Sequence, residues 1–334
     1  MLFDVERVDP YGLSDRDIDG YCALVAASFP IDQPYSQLPA RAAMIENIRP
    51  EVPAAENSIW FARWETRVIG YAKVEPLTGV NASIVQIMVR VHPEFRRRGV
   101  GTALMRGCSV HLGDGGRTKV TGAADEGSPG EAWANALGFE VTAGYRKQRL
   151  DVPIADQKLW DVPQVPGFVL RGWSREAPEE LLAAYALARN AIHDRPKTDS
   201  YDAPRWTADE IRDDEREQRE LGIERHVLAA VEEHTGMVAG LTIMEFLPAR
   251  PELGMQRDTA VLERYRGKGL GLWLKATMLT HLTRDRGDLA TVITSTSREN
   301  THMARINTAL GFSEPATLLV FEQSIESAVV RVLS

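Results

Sequence analysis

Only two cysteines occur in the 334 residues, Cys22 and Cys108, and both fall inside apolar helical patterns. A disulfide framework is therefore not supported, and buried free thiols are expected. No apolar run approaches the length needed to span a bilayer, so a membrane partner is not expected. Met1 to Arg7 lack a basic start followed by a long apolar core, which argues against a secretory signal and for a cytoplasmic protein. Nothing in the composition resembles a disordered or fibrous chain. Basic residues number 39 against 47 acidic ones, and the net charge of −8 disfavours nucleic acid as a partner. No metal site is expected.

What the chain does contain, it contains twice. Arg96-Arg97-Arg98-Gly99-Val100-Gly101 and Arg266-Gly267-Lys268-Gly269-Leu270-Gly271 each follow an apolar strand-like run and open an amphipathic helix. Each copy later ends in Leu-Gly-Phe, at Leu137-Gly138-Phe139 and Leu310-Gly311-Phe312. The offsets are 170 and 173 positions, so two separated landmarks keep nearly one register. A duplicated domain follows, in agreement with a length that suits two domains.

In the first copy a strand (Leu2 to Val8) precedes a helix capped near Ser14, then a hairpin (Ser58 to Trp64, Val68 to Val74). A central strand, Ile84 to Val91, enters the turn, and a helix, a strand, a second helix and a last strand follow. A proline-bearing stretch through Gly167 reads as a linker, after which the order restarts at Phe168. Hairpins first and alternation with helices later predict a mixed sheet with helices on both faces, once per copy. The expected domains are 1–150 and 168–334, joined by a linker over 151–167.

At the repeated turn, glycines permit a sharp bend and close backbone approach to a ligand. The helix that follows begins with unpaired N–H groups and the positive end of its dipole, both of which suit phosphate oxygens. Arg96, Arg97, Arg98, Arg266 and Lys268 add attraction for negative charge. A Walker-type loop fails because Gly269, not Ser or Thr, follows Gly267-Lys268. A dinucleotide fingerprint fails because Leu104 stands where its third glycine belongs. An ordinary strand-to-helix turn would be the reading for a lone copy; two copies favour an anion site.

These residues resemble the coenzyme A-binding segment of the GNAT-superfamily N-acetyltransferases. The segments 91–101 and 261–271 carry its pattern of Arg/Gln-x-x-Gly-x-Gly/Ala after a strand, and the Leu-Gly-Phe landmarks recur in both copies. The whole chain is similar in arrangement to tandem GNAT proteins. The resemblance implies an α/β (α+β) fold of two GNAT-like domains, each a mixed, mostly antiparallel sheet with helices on both faces. It implies acetyl transfer from acetyl-CoA to a primary amine of a small molecule, by direct attack in a ternary complex. Coenzyme A would be held by Met88, Val89, Val91, Arg96, Arg97, Arg98, Gly99, Val100, Gly101 and Thr102 in the first copy. In the second, Thr259, Val261, Arg266, Gly267, Lys268, Gly269, Leu270, Gly271, Asn300 and Asn307 would hold it.

In this family a backbone N–H of the central strand polarises the acyl carbonyl, and a carboxylate or water chain takes the proton of the amine. Asp258 and Glu245 (with Glu75 its counterpart) are the candidate bases, and Asn300 joins them as a candidate catalytic residue. A tyrosine that often protonates the departing thiolate is replaced by Asn307 in the second copy and Ala134 in the first. The asymmetry points to chemistry in the second copy. A non-catalytic acyl-CoA-binding or scaffold protein is the alternative, with a nicotinamide-dependent oxidoreductase a distant third; an oligomer is possible. The acid- and arginine-rich stretch Asp209 to Glu220 reads as a solvated helix or as a lid. His302 reads as exposed, and His193-Asp194-Arg195 as a candidate lining of the acceptor site.

Overall fold

The computed structural model describes residues 2–49, 57–194, 200, 202 and 205–333, the side chains of 193 and 194 excepted. Along the first copy run β1 (Asp4–Val8), α1 (Asp15–Asp32), α2 (Arg41–Ile48), β2 (Ser58–Trp64) and β3 (Arg67–Pro76). Then follow β4 (Ile84–Val91), α3 (Val100–Leu112), β5 (Lys119–Asp125), α4 (Pro129–Ala136) and β6 (Glu140–Asp151). The second copy has β7 (Phe168–Trp173), α5 (Glu179–Arg189), α6 (Ala208–Glu220), β8 (Glu224–Glu232), β9 (Val238–Leu247) and β10 (Arg250–Val261). It ends with α7 (Leu270–Asp285), β11 (Thr291–Ser297), α8 (Thr301–Ala309), β12 (Ser313–Ser324) and α9 (Ile325–Leu333). Ser14 caps α1 as expected, in a capping box with Asp17. Helices α2 and α9 had not been anticipated; both are short.

Two compact units emerge, and they do not coincide with the two copies. One comprises Met1–Gly144, Thr198–Asp202 and Ala316–Ser334; the other comprises Tyr145–Lys197 and Ala203–Pro315. The copies have exchanged their last strands. In the first unit β1, β2, β3 and β4 pair antiparallel in turn, β4 pairs parallel with β5, and β5 pairs antiparallel with β12 of the second copy. In the second unit β7, β8, β9 and β10 pair antiparallel, β10 runs parallel to β11, and β11 pairs with β6 of the first copy over Tyr145 to Asp151. The expected boundary at residue 150 thus falls inside a strand. The expected linker is also more than a tether: Trp160 is buried in the second unit's core and donates its indole N–H to the Leu310 carbonyl at 3.1 Å.

Each sheet is covered on both faces. In the first unit Tyr21, Leu24, Phe29, Met44 and Ile48 of α1 and α2 pack on one face, and Leu104, Met105, Cys108 and Val332 of α3 and α9 pack on the other. In the second, Leu181, Leu182, Tyr185 and Ile211 of α5 and α6 cover one face, and Leu270, Leu274, Met278 and Leu282 of α7 the other. Both cysteines are buried free thiols. No described helix is long and apolar enough to cross a membrane.

Candidate active site

Each unit holds a gap between its two parallel strands. Register between β4 and β5 ends at Gln86 opposite Thr121, although β4 continues to Val91. Between β10 and β11 it ends at Met255 opposite Ile293, and the Thr294 hydroxyl closes the last step by donating to the Gln256 carbonyl at 3.1 Å. Backbone groups alternate sides along an antiparallel ladder. The His92 N–H donates to the Ile69 carbonyl, so the N–H groups of Val89 and Val91 face away from β3 and into the first gap. The Leu262 N–H donates to the Ala239 carbonyl, which turns Thr259 and Val261 into the second gap in the same way. Met88 is not brought to its gap by its backbone, which faces β3, and its sulfur accepts from the Tyr71 hydroxyl at 2.9 Å.

The glycine turns stand at the ends of these strands. A buried aromatic, Phe95 or Tyr265, anchors each, and the first arginine clamps it: Arg96 Nε donates to the Val91 carbonyl and Arg266 Nε to the Val261 carbonyl, both at 3.1 Å. Gly99 and Gly269 precede the helices at φ of 81° and 87°, in the left-handed region where side chains are strained. Gly267 also lies there, at 77°, while its counterpart Arg97 holds 61° despite its side chain. Gly101 serves packing instead: a Cβ there would stand 3.1 Å from the Trp133 indole nitrogen of α4. No side chain caps either helix. The first-turn N–H groups at Val100, Gly101 and Thr102, and at Leu270, Gly271 and Leu272, therefore have no capping side chain. Arg98 and Lys268 lie over the anchoring rings at 5.7 and 5.4 Å.

The first turn has an acidic neighbour. Arg96 is paired with Asp32 at 2.8 Å, and Asp32 also meets Arg90. Burial outweighs these partners and holds the Asp32 carboxyl above the usual carboxylate range.

Beside the second gap lies a feature that pattern reading missed. Between Gln256 and Thr259 the register of β10 on β9 shifts, so Arg257 and Asp258 together oppose Ile243. Such a bulge puts both side chains on one face. Thr259 and Gln256 meet Thr242 on the α7 face, at 2.8 and 2.9 Å. Arg257 and Asp258 turn to the α5 and α6 face instead and complete a ring of six charges. Arg257 meets Glu245 at 3.1 Å, Glu245 meets Arg225 at 2.7 Å, and Arg225 meets Asp214 at 2.6 Å. Asp214 meets Arg189 at 2.7 Å, and Arg189 returns to Asp258 at 3.5 Å. The Arg189 guanidinium also lies 3.5 Å over the Trp206 ring. Burial disfavours a charged Asp214, but hydrogen bonds from Arg225 and Arg189 outweigh it and hold the carboxyl below its ordinary range. Burial likewise disfavours a charged Arg225, yet its two carboxylates hold it protonated even more firmly than usual.

The candidate bases therefore part ways. Glu245 is buried between two guanidinium groups, and Glu75 in the first unit is held by Lys73 at 2.7 Å. Asp258 is partly open to solvent, with 32% of its side chain accessible. Asn300 caps α8 by accepting from the Met303 N–H at 3.1 Å. Asn307 is fully buried, its amide donating to Gln148 and Thr296 at 2.6 and 3.2 Å. The helix 208–220 is solvated on its outer side only, with Ile211 and Glu215 buried and Asp214 in the ring. One sequence signal was available for the ring: Arg189 stands four residues after Tyr185, on the apolar stripe of α5. His302 is exposed. The side chains of His193 and Asp194, and the whole of Arg195, lie outside what the structure describes.

A family model described as an acetyltransferase (GNAT) domain matches residues 55–141. The mycothiol acetyltransferase of Salinispora arenicola is 28% identical over 265 residues, covering 76% of this chain and 78% of its own. That of Mycolicibacterium smegmatis is 26% identical over 249 residues, covering 74% and 78%. A tandem GNAT protein from the clavulanic acid biosynthesis pathway superposes with a TM-score of 0.74 at 24% identity, over 97% of this chain and 99% of its own. A GCN5-related N-acetyltransferase from Sphaerobacter thermophilus gives 0.69 at 16% identity, over 97% and 96%. A GNAT acetyltransferase domain is thus matched in the first copy, and across both copies the chain is similar in sequence to mycothiol acetyltransferases and in fold to a tandem GNAT protein.

Proposed function

We propose that the second unit moves an acetyl group from acetyl-CoA to the primary amine of a small molecule, by direct attack while both substrates are bound. The observation that carries this reading is a conjunction at one place. The amides of Thr259 and Val261 face the strand gap, the glycine turn opens α7 at the end of the same strand, and Asp258 immediately precedes Thr259.

The residues present suit a diphosphate-bearing donor. A Cβ at Gly267 would meet nothing within 4 Å, so the turn is bare backbone facing solvent. The first-turn amides of α7, with Arg266 and Lys268 beside them, hold the phosphates. Acetyl-CoA, when bound, supplies the activated acyl group. The Thr259 N–H, fixed by its strand, donates to the acyl oxygen as charge grows there. The Asp258 carboxylate takes the proton of an ammonium whose solution pKa, for a lysine-like amine, is about 10.4. Since Asn307 offers no phenol and is bonded elsewhere, the final proton comes from solvent.

The buried Asn307 and the doubly paired Glu245 favour a second reading, an acyl-CoA-binding protein without turnover. Purified protein incubated with acetyl-CoA and a panel of primary amines separates the two. Transfer predicts amine-dependent release of free thiol; coenzyme A binding with no release across the panel would overturn it.

A further inference from the structure

The charge ring is uneven in exposure. Arg189, Asp214, Arg225 and Glu245 are at least 85% buried in their side chains, and their four charges cancel. Arg257 and Asp258 are the open members, with 57% and 32% of their side chains accessible. They touch the buried part at Glu245 and Arg189, at 3.1 and 3.5 Å. Among the described residues, the central strand of the first unit has no such bulge against its neighbour. There β4 pairs with β3 without a register shift, and the corresponding Ile87 and Met88 enter apolar cores on opposite faces of the sheet.

We infer that Arg257 and Asp258 form a two-charge clamp that selects an acceptor carrying both a primary ammonium and a carboxylate, that is, a small amino acid. This rests on the acetyl-transfer reading above. The donor turn lies at the start of α7, so the donor approaches the gap from the α7 face. The α5 and α6 face of the same gap is left for the second substrate, and the bulge presents both open charges there, just before Thr259. Asp258 pairs with the ammonium and Arg257 with the carboxylate, whose planar fork a guanidinium matches. Because the buried four are mutually neutral, each open charge can turn to a ligand without leaving a bare charge inside the protein.

The test uses the full chain with acetyl-CoA and ω-amino acids from glycine to 6-aminohexanoate, each matched with the alkylamine that lacks the carboxylate. One chain length should exceed its alkylamine in kcat/KM by about tenfold to a hundredfold, the range for a hydrogen-bonded charge. Arg257→Gln should bring that ratio toward one, and Arg257→Lys should keep most of it. A ratio near one in the unaltered chain, or one unchanged by Arg257→Gln, overturns the clamp. Calorimetric titration of the same amino acids into the coenzyme A complex reads the clamp without turnover. Binding that Arg257→Gln abolishes, with no acetyl transfer, upholds the clamp and removes the transfer reading. Transfer to alkylamines with no discrimination removes the clamp alone, and silence in both removes both.

Discussion

Lys275 lies on α7 where the first copy has Met105, and it is as fully buried as that methionine. Its ammonium has the Phe312 ring 5.5 Å away for company, and burial pushes its pKa from 10.5 down to about 7. Folding therefore favours the uncharged amine. The stability linked to this group is complete above the unfolded value of 10.5 and falls as the pH drops toward 7. Lys275→Met should stabilise the protein at pH 7 by something on the order of 3 kcal/mol, and its advantage should shrink as the pH is raised to 10. Urea unfolding of both chains across that range checks the sign. Asp214 presents the opposite case, since Arg189 and Arg225 both depend on it. Asp214→Asn should cost about 3 kcal/mol by stranding buried positive charge, as a lowered midpoint in the same titration.

The turn and the bulge are elements whose function depends on backbone more than on side chains. At Gly269 the backbone sits at a φ of 87° and its open side faces the region where phosphates are expected. Gly269→Glu imposes both a strained φ and a carboxylate on that region. Coenzyme A affinity of the second unit should fall by more than about a hundredfold, as two charge-assisted contacts are lost, measured by calorimetry. Unchanged affinity would remove the donor site from this unit. The turn was readable because its demands are local: a strand end, an anchoring aromatic, glycines where φ is positive, then a helix. Asn300 and Asn307 were not readable in the same way. Whether an asparagine caps a helix or is sealed inside depends on neighbours such as Gln148, distant in sequence by 159 positions.

Across the molecule, the exchange of last strands makes each copy incomplete without the other. β12 and α9 give the first unit Leu319, Phe321, Ile325 and Val332 as buried side chains, and Arg106 donates to the Val332 carbonyl at 2.8 Å. At about 1.5 to 3 kcal/mol for each large apolar side chain, this segment contributes on the order of 6 kcal/mol or more, comparable to the whole stability of a domain. A chain ended at Pro315 should therefore lose the first unit's thermal transition while the second still binds coenzyme A. Calorimetric scanning with and without coenzyme A tests this; an intact first transition would refute the exchange.

The sequence by itself determined the duplication, the order of strands and helices, the two glycine turns and the buried thiols, because hydrophobic period and backbone dihedral demands are carried by near neighbours. Only the tertiary structure decided which copy receives each final strand. The backbone hydrogen bonds that recruit β6 and β12 are the same whichever sheet they join, so the repeat offset could not assign them. It also decided that Arg257 and Asp258 share a face, since one extra residue in the register of β10 reverses the alternation that a linear reading assumes.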